Sequence, residues 1–221
     1  MFEKNIKNLR KKLQENGIDV AIITDDDSVY YYSGYCDYLH MEFARPTILI
    51  VPKDDKSLLI TPKVDMALAD DSTAVELLEA WNEGVGNEWR EHIPKMLNGK
   101  NKIGIEINQM PPLVRGYIDS IVEKNQIVDV DPVIGEMRMI KSEEELQIAR
   151  HAGQVAIAMM SAGRNTIADG IPEYEVAIAA SNAGTRKASE ILNQYYSGTR
   201  MSPLIHFLHI MASGEHITTT H

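Results

Sequence analysis

The hydrophobic period of this sequence changes at one segment, Met137–Glu145, and that change constrains the fold more than any other feature. Before the segment, short apolar runs such as Val20–Ile23 alternate with amphipathic stretches, which is typical of a sheet flanked by helices. After it, apolar residues recur three and four positions apart over long stretches, which predicts helices. The sequence therefore predicts an α/β domain joined to a second domain of different construction.

The first domain is predicted to span residues 1–132, followed by a linker helix at 133–141 and a second domain at 142–221. A helix opens the chain, because Phe2, Ile6, Leu9 and Leu13 fall on one helical face. The expected strands of the sheet are Val20–Ile23, Thr47–Val51, Leu58–Ile60, Ile103–Ile105 and Ile127–Val130.

The sequence predicts where the first helix of the second domain begins. Ser142 is followed three residues later by Glu145, the spacing of a capping box. A further helix is predicted from Pro172 to about Leu192, because proline suits a first turn and acidic residues favour the positive end of a helix. Leu204–Ala212 is apolar enough for a strand, and a turn then leads to His216.

Composition excludes two classes of partner. The chain has 32 acidic and 22 basic residues and a net charge of −10, whereas nucleic acids and anionic membranes require a basic face. The single cysteine, Cys36, cannot form an internal disulfide, which indicates a reducing compartment. The charged N-terminus differs from a signal peptide, so we expect a cytoplasmic protein.

Several strings of residues carry a resemblance to a known family. Met137–Glu145 and Pro172–Ala177 resemble creatinase and, more broadly, the pita-bread hydrolases, which include Xaa-Pro dipeptidase, aminopeptidase P and methionine aminopeptidase. In the front half, Tyr31–Ser33, Glu42–Pro46 and Ile103–Glu106 are similar to the N-terminal domain of creatinase. Together these strings cover nearly the whole chain.

The resemblance implies the fold and the assembly. It predicts a creatinase-type mixed sheet flanked by helices, followed by the incomplete start of a pita-bread α+β catalytic domain. It also implies a homodimer in which the N-terminal domain reaches the active site of the partner subunit, and a small-molecule substrate. The remaining active-site carboxylates of the family lie beyond His216, so we expect an N-terminal fragment that is inactive alone.

The resemblance makes His216 the general acid and base. Attack of water on a guanidinium or amide carbon needs a group that removes a proton and later delivers one to the leaving nitrogen. Imidazole titrates near neutral pH and can do both. The structural alternative is a loop histidine without a catalytic role.

Phe43 and Arg45 are the predicted substrate-binding residues. In creatinase, the corresponding pair reaches the partner's active site, and the arginine holds the substrate carboxylate. A guanidinium fork can bind a carboxylate through two hydrogen bonds, and a phenyl ring would give an apolar wall against a methylated nitrogen. The alternative is a structural ion pair for Arg45 and a core position for Phe43.

No metal site is predicted within this chain. His206 and His209 are three residues apart, a spacing that places them on opposite faces of a strand. Divalent metal ions are expected only in the full-length protein, and only if it is of the peptidase type. The resemblance places the metal-binding carboxylates of that type beyond His216.

The resulting hypothesis is a creatinase-like hydrolase that cleaves a C–N bond of a small substrate. After its catalytic histidine, creatinase has Asn-Pro-Val-Thr, whereas this chain has Ile217–Thr220 after His216, so the identity of the substrate stays open. One alternative is a metal-dependent Xaa-Pro dipeptidase or aminopeptidase. The other is a non-catalytic module that binds a partner or small molecule.

Overall fold

The computed structural model describes residues 1–36, 45–82, 88–196 and 211–218. The chain divides into two compact units, Met1–Ile140 and Lys141–His221. The finer predicted boundaries, with a linker helix at 133–141, stay a prediction. In the described parts of the chain, every helix is too short or too polar to cross a membrane.

A mixed sheet of six strands forms the centre of the first unit, as far as the described residues show. Its strands are, in chain order, β1 (Val20–Ile23), β2 (Ile48–Pro52), β3 (Leu58–Pro62), β4 (Leu77–Trp81), β5 (Ile103–Ile105) and β6 (Ile127–Asp129). Across the sheet the order is β4-β3-β2-β1-β5-β6. The pairs β1/β2 and β2/β3 are antiparallel, whereas β1/β5, β3/β4 and β5/β6 are parallel.

Among the described residues, six α-helices belong to the first unit, where they flank the sheet, and two belong to the second. They are α1 (Phe2–Glu15), α2 (Asp26–Ser33), α3 (Met66–Ser72), α4 (Glu88–Leu97), α5 (Pro112–Ile121), α6 (Asp131–Met139), α7 (Glu143–Thr166) and α8 (Glu173–Tyr195). A 3-10 turn at Lys63–Asp65 leads into α3. The predicted mixed sheet flanked by helices is therefore confirmed.

Both faces of the sheet are covered by apolar side chains. On one face, Ile6, Leu9 and Leu13 of α1 pack with residues of α2 and α6. On the other, Trp89 and Ile93 of α4 pack with residues of α5. Burial on both sides explains why the central strands are continuous apolar runs in the sequence instead of alternating ones.

Strand β4 was not predicted from the sequence. Its residues Leu77 and Glu79 are exposed, and it pairs with β3 at one side of the sheet. A partly exposed strand lacks the apolar run that identifies the central strands. Helix α8 ends at Tyr195, slightly beyond the predicted end near Leu192. Most of the predicted strand Leu204–Ala212 lies outside the described residues.

In the second unit, α7 and α8 form a helical hairpin. The predicted capping box is present: Ser142 N–H donates to Glu145 Oε2 at 2.8 Å, and Glu145 N–H donates to Ser142 Oγ at 3.3 Å. The helices approach closely at Gly163, where an added Cβ would lie 3.6 Å from Val176 and 3.8 Å from Ala180. Both distances are ordinary van der Waals contacts, so the interface at Gly163 is close but would also accept an alanine.

Candidate functional site

His216 lies in a short 3-10 helix, Gly214–Thr218, and contacts the start of α8. Its Nδ1 is 3.1 Å from both Oε1 and Oε2 of Glu173. Glu173 Oε1 also accepts hydrogen bonds from Ser213, from the backbone N–H at 2.5 Å and from the hydroxyl at 2.6 Å. One carboxylate thus binds the backbone before the 3-10 helix and the histidine ring within it.

Local sequence explains the position of Glu173. Pro172 is the N-terminal cap of α8, and Glu173 is the first helical residue. A carboxylate is stabilised there by the positive end of the helix dipole. The hydrogen bond from the Ser213 hydroxyl, and after it the one from His216, hold the pKa of Glu173 below its usual value. Glu173 is therefore ionised at neutral pH.

This arrangement leaves one ring nitrogen available for chemistry. An ionised carboxylate can only accept, so Nδ1 of His216 carries the hydrogen, and the lone pair of the neutral ring is on Nε2. Within the described residues, Nε2 makes no hydrogen bond, and 73% of the side chain is exposed. A histidine held by a carboxylate through Nδ1 can exchange a proton with a substrate or water through Nε2.

His151 shows the contrasting arrangement in the same unit. It is buried in α7, its Nδ1 is 2.8 Å from the hydroxyl of Tyr196, and its Nε2 is 2.8 Å from Nε2 of Gln147. Its ring also stacks on Tyr195 with centroids 4.5 Å apart. Because both nitrogens are engaged, His151 joins the two ends of the helical hairpin and has no nitrogen left for a substrate.

Of the two predicted substrate-binding residues, the structure describes one. Phe43 lies outside the described residues. Arg45 is partly buried and immediately precedes Pro46, which is buried at the entrance to β2. The carbonyl oxygen of Pro46 accepts a hydrogen bond of 2.9 Å from Nε1 of Trp81. Arg45 belongs to the first unit and His216 to the second, and each is described within its own unit.

Sequence reasoning missed the acidic partner of His216 and a polar network in the first unit. Glu106, after β5, is buried and its Oε2 accepts from the backbone N–H groups of Thr24 and Asp25 at 2.9 and 3.0 Å. Arg138 lies 3.2 Å from the hydroxyl of Ser28 and 3.6 Å from the carboxylate of Asp25. Burial raises the pKa of Glu106. This network joins the ends of β1 and β5 to α2 and α6 and is structural.

The described residues do not fit a metal site. Within residues 1–36, 45–82, 88–196 and 211–218, no three His, Cys, Asp or Glu side chains gather where they could hold one ion. His40, His206, His209 and His221 lie outside those ranges. The prediction about metal ions in this chain therefore stays a prediction.

Comparison with known families gives one match over most of the first unit. Residues 5–140 match the model of the creatinase/prolidase N-terminal domain. The chain is 26% identical over 196 residues to a creatinase from a Bacillus species, an alignment that covers 85% of this chain and 45% of that protein. It is 29% identical over 182 residues to an Xaa-Pro dipeptidase from Pyrococcus horikoshii, covering 80% of this chain and 46% of that protein. The chain thus spans just under half the length of these two relatives.

Solved structures show the same fold. The prolidase from Pyrococcus horikoshii superposes with a TM-score of 0.69 at 23% identity, over 84% of this chain and 49% of that one. A proline dipeptidase chain from Streptococcus pneumoniae superposes with a TM-score of 0.54 at 20% identity, over 62% of this chain and 98% of that one. The first of these likenesses extends beyond the matched residues 5–140, because it covers a larger share of the chain.

Proposed function

Since the chain belongs to the creatinase/prolidase N-terminal domain family, we propose that it is the front part of a creatinase-like hydrolase that cleaves a C–N bond of a small substrate. The observation that carries this proposal is the Glu173–His216 pair, in which the second imidazole nitrogen, Nε2, makes no hydrogen bond to any described residue. The similarity to a creatinase over 85% of the chain supports the amidinohydrolase type.

In this proposal, His216 moves a proton twice. Nε2 takes a proton from water as the oxygen attacks the guanidinium carbon, and the imidazolium then gives that proton to the leaving nitrogen as the C–N bond breaks. The products are an amine and a urea. Glu173 stabilises the imidazolium between the two steps because it is ionised and bound to Nδ1.

Arg45 and Phe43 bind the substrate in this proposal. Arg45 would bind the carboxylate through two parallel hydrogen bonds, and Phe43 would face the methylated nitrogen. Both residues are proposed to act in the active site of the partner subunit of a homodimer. The single cysteine further supports a reducing compartment such as the cytoplasm.

The relative named Xaa-Pro dipeptidase supports a second candidate, a metal-dependent dipeptidase or aminopeptidase. That reaction also cleaves a C–N bond in a small substrate. Arg45 would bind the free carboxylate of the dipeptide. Metal ions would supply the activated water, and the described residues hold no ligand set for them. In this candidate, the metal ligands would lie outside the described residues.

Activity assays of the natural protein that contains this chain would separate these candidates. If the protein releases urea from creatine and a chelator does not stop this reaction, the amidinohydrolase is supported. If it releases proline from alanylproline and a chelator abolishes this reaction, the dipeptidase is supported. Binding of either compound without turnover would favour the non-catalytic module. We expect the 221-residue chain alone to show no turnover.

Histidine variants test the site within the same assay. Replacing His216 with Asn should lower kcat by about 100-fold or more if this residue transfers the proton. His221 is the matched control, because it lies five positions further along the same segment and outside the described residues. A full loss of activity in His221→Asn with normal activity in His216→Asn would move the catalytic role to His221.

Mixed dimers test the partner-subunit arrangement. If Arg45 acts in trans, mixing Arg45→Ala subunits with His216→Asn subunits creates hybrid dimers that hold one intact site. Random exchange should then restore roughly a quarter of the native activity, because half of the dimers are hybrids with one of two sites intact. No recovery after verified exchange would place both residues in one subunit.

A further inference from the structure

The carbonyl next to Arg45 is fixed to the sheet by a tryptophan. Nε1 of Trp81 donates to the carbonyl oxygen of Pro46 at 2.9 Å, and both residues are buried. Trp81 is the last residue of β4, where it pairs with Pro62 of β3. The donor is therefore held by a paired strand and by the apolar packing around it.

Pro46 restricts the backbone between its hydrogen-bonded carbonyl and Arg45. The ring of Pro46 locks its φ angle, so ψ of Pro46 is the one soft torsion between the fixed carbonyl and the preceding peptide. Arg45 precedes a proline, and its own backbone is restricted to extended conformations by the proline ring. Few torsional freedoms remain between the Trp81 hydrogen bond and the α-carbon of Arg45.

We propose that Trp81 is a positioning residue for Arg45, an inference that rests on the proposed role of Arg45 in binding the substrate carboxylate. Two parallel hydrogen bonds to a carboxylate need the guanidinium in one orientation. A displacement of the arginine backbone by a fraction of an ångström weakens both bonds together. The indole N–H thus contributes to substrate affinity without touching the substrate.

The second tryptophan of the chain provides the matched control. Trp89 is buried in the same apolar cluster as Trp81, and its ring packs edge-on against Tyr117 with centroids 5.5 Å apart. A Trp→Phe change at either position removes an indole and keeps an aromatic ring. Only the change at position 81 removes the hydrogen bond to Pro46.

The test compares these variants in the natural protein, with whichever substrate is turned over, creatine or alanylproline, and with its carboxamide analogue. We expect Trp81→Phe to raise KM for the anionic substrate about three- to tenfold, the usual effect of one lost hydrogen bond. kcat and the KM of the carboxamide should stay within about twofold, as should all constants of Trp89→Phe. If neither substrate is turned over, Kd for the same compounds replaces KM.

A second variant covers the case in which Trp81→Phe does not fold. Pro46→Ala keeps Trp81 but frees the φ angle, so it should give the same selective rise in KM. The melting temperature of each variant is measured by circular dichroism, and every assay is run below it. A change in stability alone then does not alter KM.

A double-mutant cycle with Arg45→Ala decides between the outcomes. The inference predicts that Trp81→Phe has no further effect on KM once Arg45 is removed. It is overturned if Arg45→Ala raises KM while Trp81→Phe leaves it unchanged, or if Trp81→Phe acts equally in the Arg45→Ala background. If Arg45→Ala itself leaves KM unchanged, the proposed role of Arg45 fails and the inference fails with it.

Discussion

Glu173 and His216 are 43 residues apart in sequence, yet both carboxylate oxygens of Glu173 lie 3.1 Å from Nδ1 of His216. Ser213 donates twice to the same carboxylate, which fixes the acceptor while the histidine ring stays mostly exposed. The pair therefore fixes the tautomer and the orientation of His216, in the manner of carboxylates that orient catalytic histidines.

Replacing Glu173 with Gln should change the tautomer of neutral His216. The native carboxylate favours hydrogen on Nδ1, whereas free imidazole favours hydrogen on Nε2, so the variant should shift toward the Nε2–H form. Nitrogen-15 NMR of the histidine ring in its neutral form measures the two populations directly. Glu175→Gln is the control, because Glu175 lies in the same first turn and is exposed. An unchanged tautomer ratio in Glu173→Gln would contradict the pairing.

The buried carboxylate of Glu106 should make the first unit more stable in mild acid. Its pKa in the folded protein is raised above the usual 4.5, first by burial. Its contribution to stability is therefore fully present below pH 4.5 and is lost as the pH rises through the folded-state pKa.

Glu106→Gln removes this titration while its amide oxygen can still accept from Thr24 and Asp25. We expect the melting temperature of the variant, relative to that of the native protein, to increase as the pH rises from about 4.5 toward neutrality. Parallel melting curves measured at several pH values check this. A constant difference between the two proteins across the range would exclude Glu106 as the titrating group.

Gly104→Ala should destabilise the first unit by about 1–3 kcal/mol because it overfills the packing of β5 against Val130, the residue before α6, and Ile18, which precedes β1. An added Cβ would overlap Cγ1 of Val130 and lie 3.3 Å from Cγ2 of Ile18. Gly116→Ala is the control: Gly116 is in α5 with open space around it, so that change should stabilise by about 0.5–1 kcal/mol. Urea titration measures both, and equal effects at the two positions would refute the packing argument.

Ser142→Ala should loosen the first turn of α7 by about 1 kcal/mol, because it removes one hydrogen bond of the capping box. The measurement is the rate of hydrogen exchange at the Glu145 amide, which donates a hydrogen bond to the Ser142 hydroxyl in the native protein. We expect this rate to increase in Ser142→Ala. Ser161→Ala, at an exposed position inside α7, should leave that amide as protected as before. Protection retained in Ser142→Ala would mean that the cap contributes nothing.

Local patterns predicted those elements whose stability is decided locally. The buried strands Val20–Ile23 and Ile103–Ile105 follow from continuous apolar runs, and the start of α7 follows from Ser142 and Glu145. Strand β4 did not follow, since Leu77 and Glu79 face solvent and the strand depends on its parallel pairing with β3. A parallel neighbour has no signature within the strand itself.

The site shows the same limit. His216 and Arg45 were found through resemblance, and their roles stay predictions. Glu173 was recognised as favourable for the end of a helix, but its contact with Ser213 spans 40 residues and has no local signal. The hydrogen bond from Trp81 to Pro46 likewise spans 35 residues and requires the folded sheet.

The place of β1 in the sheet has a consequence during synthesis on the ribosome. β1 pairs with β2, which follows soon after it, but its other neighbour, β5, begins only at Ile103. Until β5 has emerged, four apolar residues of β1 form an open strand edge, and such edges pair readily with other chains. A nascent chain that pauses between β3 and β5 therefore keeps this edge open to such pairing, and the exposure ends when β1 and β5 form their parallel pair.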